Sequence, residues 1–196
     1  MSEYPFLPLE DLIVDIIDRR GVTPRKLGSD FASEGYRVIS ARTIRNRTVD
    51  LTADDERYVS EEIYRRWMKT PLRAGDVLIT SEAPLGEPAY VQEAHPWVVG
   101  QRLFAIRTDP SKLIGRFLFY AVQSYSVRED LLSRATGTTV LGIRQSELRR
   151  VRIPVPSLAD QEAIVDILGT LDDKIELNRR MGETLDRMAE ALFCEW

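Results

Sequence analysis

The chain has 196 residues, of which 43% are hydrophobic and 30% charged, with a formal net charge of −4. This length allows one ordinary domain with an appendage and leaves too little chain for two full domains. Because the sequence holds no low-complexity tract and no apolar run near the roughly 20 residues of a spanning helix, the composition excludes disordered, fibrous and membrane-spanning proteins.

The first half of the chain mixes short strand-like and helical segments. Residues 9–18 are rich in apolar side chains and allow a short helix or a strand, a choice that periodicity does not settle. Residues 36–41 alternate as a strand, and the polar residues 42–48 predict a loop. Ser60 is a good N-cap followed by two acidic residues, which predicts a helix over residues 60–69.

The later segments continue this irregular order. We expect strands at residues 77–81, 89–92 and 102–107, helices at 113–124 and 127–135, and a loop at 137–142. Regular βαβ alternation is missing, so the predicted fold class is α+β rather than a doubly wound sheet. The predicted domains are a globular mixed α/β domain over residues 1–156 and one long C-terminal helix over residues 157–196.

The predicted helix begins after two prolines that keep the chain extended, and Ser157 with Asp160 resembles a capping box. A heptad seam then runs along it, although two polar or small residues, Asn178 and Gly182, interrupt it. The apolar and polar seam residues proposed as a helix interface are Ile164, Leu168, Leu171, Ile175, Asn178, Leu185 and Leu192. About 39 helical residues would extend roughly 58 Å.

A seam of this length must be buried against another surface. Packing on its own domain could cover only part of it, so a partner helix is the better account, with Asn178 fixing the register. Gly169 and Gly182 each weaken an isolated helix by about 1 kcal/mol relative to alanine, which the partner must offset. Trp196 is expected within or at the edge of that interface, or the native chain continues beyond it, because Glu195 is an unfavourable last-turn residue.

No catalytic or metal site is predicted. The only histidine, His95, lies in a turn-like stretch, and Cys194 is the only cysteine, so a metal site or a disulfide lacks ligands. Residues 137–142 lack the Lys-Ser/Thr pair of a phosphate-binding loop. The neighbouring carboxylates of Asp172 and Asp173 point in different directions on a helix. The first residues also lack a secretory signal, so we expect a cytoplasmic protein.

Binding is the remaining possibility. Residues 1–156 hold 23 Lys/Arg and 21 Asp/Glu, a net charge of +2. Residues 157–196 hold 4 Lys/Arg and 10 Asp/Glu, a net charge of −6. Only the globular part therefore suits nucleic acid. Its donor-rich loops are either solvated segments or DNA contacts. The candidate DNA-binding residues are Arg42, Arg45, Asn46, Arg47, Gln101, Arg102, Thr138, Thr139 and Arg144.

Three motifs in order resemble the specificity subunit of Type I restriction-modification enzymes. They are ATGTTVLGIRQSEL at residues 135–148, IPVPSLADQEAIV at residues 153–165 and LDDKIELN at residues 171–178, with weaker similarity at residues 75–80 and 100–103. The resemblance covers nearly the whole chain as one target-recognition domain and one conserved helix. It implies a DNA-recognition subunit without catalysis of its own.

A full specificity subunit resembles two such units in tandem, whose recognition domains each bind half of a bipartite site and whose helices pair antiparallel as a spacer. The resemblance implies double-stranded DNA, a methyltransferase (modification) subunit and a restriction/translocase subunit as partners. S-adenosylmethionine, ATP and magnesium would belong to those subunits, with no cofactor in this chain.

The chain holds one unit, which fits a natural half-subunit that forms a homodimer through the helix, or a piece of a longer protein. The alternative function is a coiled-coil oligomerisation or protein-binding module without DNA specificity. A small transcription regulator is disfavoured, because no helix-turn-helix pattern occurs.

Overall fold

The computed structural model describes residues 4–52 and 56–194 as a mixed α/β domain followed by one long helix, which confirms the predicted fold class. The strands are β1 (Phe6–Pro8), β2 (Ile13–Asp18), β3 (Tyr36–Ile39), β4 (Ile44–Arg45), β5 (Thr48–Val49), β6 (Tyr58–Val59), β7 (Val77–Thr80), β8 (Pro88–Tyr90), β9 (Val98–Val99), β10 (Leu103–Thr108) and β11 (Arg152–Pro154). The helices are α1 (Glu61–Trp67), α2 (Gly115–Ala121), α3 (Tyr125–Ser133), α4 (Gln145–Arg149) and α5 (Leu158–Cys194).

A four-stranded antiparallel sheet with the order β2-β10-β7-β8 forms the centre of the domain. Its strand β10 is buried on both faces, because successive side chains point to opposite sides. Phe104 and Ile106 join the core that contains α2 and α3, whereas Leu103 and Ala105 join a second core that contains α1. Because both faces of the sheet are covered, the exposed side chains that could bind a ligand lie at the strand ends and in the loops.

Most predicted elements form close to their predicted positions. Residues 9–18, for which the sequence allows a helix or a strand, form a 3-10 turn at Leu9–Leu12 and then the strand β2. The helix α1 begins at Ser60, whose Oγ accepts a hydrogen bond from the amide of Ile63 at 3.4 Å. The helix α4, which the sequence did not indicate, also contributes to the core that contains α2 and α3.

The polar segment at residues 42–48 is a 3-10 turn followed by a hairpin of β4 and β5, so the predicted loop is wrong. The two turn residues of the hairpin, Asn46 and Arg47, have positive φ angles of 50° and 65°. Paired positive φ angles give the type I′ turn, whose twist matches that of a hairpin. The sequence lacks the Asn-Gly or Asp-Gly pair that usually marks such a turn, which is why it indicated a loop.

The strands β1 and β11, which the sequence did not indicate, pair antiparallel and place Phe6 opposite Pro154. The helix α5 begins directly after this pair. Its start is capped as predicted, because the Asp160 amide donates to Ser157 Oγ at 3.2 Å and Ser157 Oγ donates to Asp160 Oδ2 at 2.7 Å. The root of the long helix is thus joined to the first strand of the domain.

Gln161 connects α5 to the interior of the domain. Its side chain is fully buried, its Oε1 accepts a hydrogen bond from the amide of Ile114 at 2.9 Å, and its Nε2 donates to the carbonyls of Lys112 and Pro156, both at 3.1 Å. These bonds satisfy the polar atoms of a side chain that water cannot reach, and they tie the start of α5 to the segment before α2.

We expect Gln161→Leu to lower the free energy of unfolding by about 2–4 kcal/mol, because leucine fills the space but removes three hydrogen bonds to backbone groups that are buried or partly buried. Chemical denaturation measures this change. The control is Gln92→Leu at an exposed loop position, where we expect a change within about 0.5 kcal/mol. Equal stability of the two variants would contradict the role of Gln161.

Candidate nucleic-acid interface

Several loops meet at one end of the central sheet because of the strand register. Thr80, the last residue of β7, lies opposite Leu103, and Asp18, the last residue of β2, lies opposite Phe104. The residues that follow β2 and β7 therefore lie beside those that precede β10. We call this end the sheet-end surface; it consists of Arg20, Arg42, Glu82, Gln101, Arg102 and residues 136–144.

Arg102 lies at the centre of this surface in a left-handed backbone conformation, with φ of 61°. Such a conformation costs of order 1–3 kcal/mol outside glycine and persists where the surroundings fix it. The carbonyl of Arg102 accepts a hydrogen bond from the Ser81 amide at 2.9 Å, and its Nε lies 3.0 Å from Glu82 Oε1. The exposed side chain of Gln101 lies next to it, so this turn presents two long polar side chains.

The 3-10 turn Ala41–Thr43 places Arg42 beside this turn, because the Ala41 amide donates to the Gln101 carbonyl at 3.3 Å. The turn is held by a reciprocal cap, in which the Ser40 amide donates to Thr43 Oγ1 at 3.2 Å. The guanidinium of Arg42 is exposed and has no hydrogen bond or ion pair with any other described residue. An uncompensated guanidinium of this kind suits a phosphate group.

The loop at residues 136–144 is closed by two hydrogen bonds between Thr136 and Gly142, at 2.8 Å and 2.9 Å. Gly137 has a φ of 121°, and an added Cβ would lie 2.1 Å from the Val140 carbonyl oxygen, so glycine is required there. The exposed tip contains Thr138, Thr139, Val140 and Leu141. The sequence placed the last two in the predicted loop but did not single them out as candidate contacts. Hydroxyl and apolar groups together can contact base edges and the thymine methyl group.

The same loop is tied to the sheet by Arg20, which the sequence analysis did not single out. Its side chain donates to both carboxylate oxygens of Asp18 at 2.9 Å and 2.8 Å and to the Ile143 carbonyl at 3.3 Å. Its guanidinium lies 3.9 Å from the ring centroid of Phe104. Burial alone would raise the pKa of Asp18, but the hydrogen bonds from Arg20 hold that pKa below its usual value. Arg20 is therefore a structural tie rather than a free cation.

The structure brings together six of the nine predicted DNA-binding residues: Arg42, Gln101, Arg102, Thr138, Thr139 and Arg144. The other three, Arg45, Asn46 and Arg47, lie on the β4–β5 hairpin. Arg45 is 3.8 Å from Asp50, and Arg47 turns toward the long helix. Its guanidinium lies 3.5 Å from Asp172 and bonds Gln123 at 3.3 Å. DNA contact by any of the nine stays a prediction.

His95 is occupied by packing, because its ring stacks on Trp97 with 4.2 Å between the centroids. Over residues 4–52 and 56–194, no three His, Cys, Asp or Glu side chains are placed to hold a metal ion. Across the same ranges, no helix combines the length and the apolar content needed to cross a bilayer.

The predicted seam of α5 faces two different sides. Ile164 packs against the core of its own domain and Leu168 is partly buried, while Asn178 is exposed. The remaining seam residues are 50–63% exposed: Leu171, Ile175, Leu185 and Leu192. A strict seven-residue repeat drifts by about 20° per heptad on a straight helix. A seam that starts against the domain therefore turns away from it along α5.

An exposed apolar stripe runs along the side of α5 that faces away from the domain, and it includes three residues that were missed from the sequence. We call it the outer stripe; it consists of Ile167, Leu171, Met181, Leu185, Met188 and Leu192, each 50–64% exposed. Lys174 and Asn178 interrupt it. Phe193 is 84% exposed, and Trp196 lies outside the described residues. No described residue of the domain covers the outer stripe.

Comparison with known proteins assigns the family. The family of the Type I restriction modification DNA specificity domain matches residues 1–187, so the chain belongs to this family. The MjaIX specificity subunit of a Type I restriction enzyme from Methanocaldococcus jannaschii is 26% identical over 176 residues, which cover 90% of this chain and 40% of that protein. The HindI specificity subunit from Haemophilus influenzae is 28% identical over 133 residues, covering 65% of this chain and 29% of that protein.

Solved structures share the fold. The HsdS subunit from Thermoanaerobacter tengcongensis matches with a TM-score of 0.61 at 18% identity, over 91% of this chain and 44% of that chain. The S subunit from M. genitalium matches with a TM-score of 0.56 at 18% identity, over 90% of this chain and 41% of that chain. The chain thus spans less than half the length of these relatives.

Proposed function

We propose that this chain is the sequence-specific DNA-recognition component of a Type I restriction-modification system, which directs methyltransferase and restriction subunits to a bipartite DNA site. One observation carries the proposal. In a member of the specificity-domain family, loops from separate parts of the chain converge at the sheet-end surface and present an unpaired guanidinium beside hydroxyl and amide groups. These groups are suited to phosphates and base edges.

In this proposal the chain performs no chemistry itself. S-adenosylmethionine, ATP and magnesium bind to the methyltransferase and restriction subunits, and this chain supplies the position on DNA. The specificity-subunit names of the relatives support this division of labour.

The outer stripe is proposed to bind the outer stripe of a second copy. The stripe leaves large apolar side chains in solvent from Ile167 to Leu192, which a coiled-coil partner would bury. The helix carries acidic side chains but no Lys or Arg before Lys174, whereas Lys174, Arg179, Arg180 and Arg187 follow. Residues 174–194 hold four basic and four acidic side chains and are neutral in sum, so an antiparallel pair keeps the two acidic segments at opposite ends, whereas a parallel pair would place them side by side. Such a dimer presents two recognition domains by two-fold symmetry and binds inverted half-sites.

The test is a map of methylated adenines in the source genome, with and without the gene for this chain. We expect one bipartite motif made of two inverted half-sites, and we expect its methylation to disappear when the gene is removed. An unchanged methylation map, together with purified protein that no DNA duplex retains, would favour the oligomerisation alternative instead.

A further inference from the structure

The long helix is attached to the domain at two separated places. Near its start, Gln161 is buried, and Ile164 and Val165 pack against the core. Farther along, the contacts with the domain become polar and end at Asp172 and Asp173, and every residue from Leu177 to Phe193 is exposed. Asp172 lies 11 residues after Gln161, about 16 Å along the helix axis. Two attachments at this separation can fix the direction of a helix, whereas one can act as a pivot.

The distal attachment is centred on the carboxylate of Asp172. Tyr120 Oη, on α2, donates to Asp172 Oδ2 at 2.9 Å. A guanidinium nitrogen of Arg47, on the β4–β5 hairpin, lies 3.5 Å from Asp172 Oδ1, and Gln123 on the other side bonds Arg47 at 3.3 Å. Each carboxylate oxygen is thus engaged by a different element of the domain. We call Asp172, Tyr120 and Arg47 the root clamp.

Burial, and next the hydrogen bond to Asp172, raise the pKa of Tyr120 above its ordinary value. The phenol therefore stays protonated at neutral pH and remains a donor to the carboxylate.

A close contact beside the root clamp brings α2 against the helix. Gly169 is buried, and an added Cβ would lie 3.0 Å from the guanidinium carbon of Arg116. The missing side chain lets Arg116 lie flat against α5, where its guanidinium is 3.7 Å from Asp173. Gly169, which weakens an isolated helix, is therefore accounted for by this close approach.

We propose that the root clamp sets the angle between the recognition domain and the long helix, so that Asp172 and Tyr120 are positioning residues that select the spacing between half-sites. The proposal rests on the proposed dimeric DNA-recognition function. For a domain of this size the DNA-facing surface lies roughly 20 Å from the helix root. A rotation of about 10° moves that surface by about 3.5 Å, close to the 3.4 Å rise of one base pair. Opposite rotation of the two domains doubles the shift.

The first experiment needs no DNA. Cysteines for spin labels are placed on the domain and on the helix by Gln92→Cys and Thr184→Cys, with Cys194→Ser, and the labelled protein is diluted with excess unlabelled protein. Double electron–electron resonance then reports the distance between the two labels within one protomer.

We expect Asp172→Ala to broaden or shift the distance distribution clearly. Tyr120→Phe should do so less, because it removes only the hydroxyl. The charge-matched control, Asp166→Ala, lies on an exposed part of the same helix and leaves the distribution unchanged. Equal distributions for Asp172→Ala and Asp166→Ala would overturn the clamp.

The second experiment measures binding to duplexes whose half-sites are separated by one base pair fewer or more than in the methylated motif. We expect the unaltered protein to prefer the native spacing by roughly tenfold or more, on the scale of one mismatched base pair. Asp172→Ala should reduce this preference to less than about threefold, while Asp166→Ala keeps it. A broadened distance distribution with an unchanged spacing preference would overturn the spacing role. Absence of binding to every duplex by the unaltered protein would refute the proposed function, and the resonance measurement would still decide on the clamp.

Discussion

Replacing Leu185 with aspartate is expected to convert a dimer of this chain into monomers. Leu185 lies in the exposed second half of α5 and is 61% exposed in the single chain. Burying one leucine contributes roughly 1.5–3 kcal/mol, and two-fold symmetry places this residue in the interface twice. A dimer of the Leu185→Asp variant loses the burial of both leucines, and its interface would also have to desolvate two carboxylates. The dissociation constant should therefore rise by roughly a thousandfold or more.

Sedimentation velocity over the micromolar range measures this change. The matched control is Ala191→Asp, which adds the same charge on the same helix but off the outer stripe, about 100° or more away from most of its residues. The control protein should remain dimeric. A monomer for the unaltered chain at micromolar concentration, with an ordered helix, would refute the dimer, and a Leu185→Asp protein that stays dimeric would move the interface to another face.

Removing the guanidinium groups of Arg42 and Arg144 together is expected to weaken binding to the cognate duplex by roughly a hundredfold per half-site. Both side chains are exposed at the sheet-end surface. A charge-assisted hydrogen bond contributes about 1.5 kcal/mol or more, and two such bonds account for this factor. If both residues bind phosphates, the slope of log affinity against log salt concentration should also decrease by about 1.8 per half-site, or about 3.6 for the dimer.

Titration of the cognate duplex over a series of salt concentrations checks both quantities. An Arg73→Ala, Lys112→Ala double variant is the charge-matched control, because Arg73 precedes β7 and Lys112 follows β10, both exposed at the end of the sheet opposite the sheet-end surface. An Arg45→Ala, Arg47→Ala double variant tests the hairpin. Unchanged affinity and slope for that pair would exclude the hairpin from the DNA contact, and the same result for Arg42 and Arg144 would exclude the sheet-end surface.

The fold class and the local elements could be predicted from the sequence because their causes are local. Ser60 and Ser157 cap helices with side chains that lie within three residues of the amides they bind. The strand β10 could be recognised because its apolar run is bounded by turn-forming residues, although only the structure shows that its side chains face two cores. The pairing of β1 with β11 could not be predicted, because Phe6 and Pro154 are far apart in sequence and only the assembled domain brings them together.

The candidate site was only partly accessible from the sequence for the same reason. Donor-rich loops can be recognised by composition, but the register of β10 with β2 and β7 decides which loops share one end of the sheet. Arg47 looked like its neighbours in a polar segment, yet the hairpin turns it toward Asp172. The seam predicted for α5 differs from the outer stripe, because the periodic pattern does not reveal which side of the helix the domain occupies.

The pairing of β1 with β11 also bears on how the protein is made. Strand β11 is the last strand of the domain to leave the ribosome, and its partner is the first, so one ladder closes a loop of nearly the whole domain. Such closure between distant residues is slow compared with helix formation. The domain can therefore complete its fold only when the segment before α5 has been synthesised. On that schedule, the domain of a newly made chain can fold before it emerges together with the whole helix that is proposed to join it to another copy.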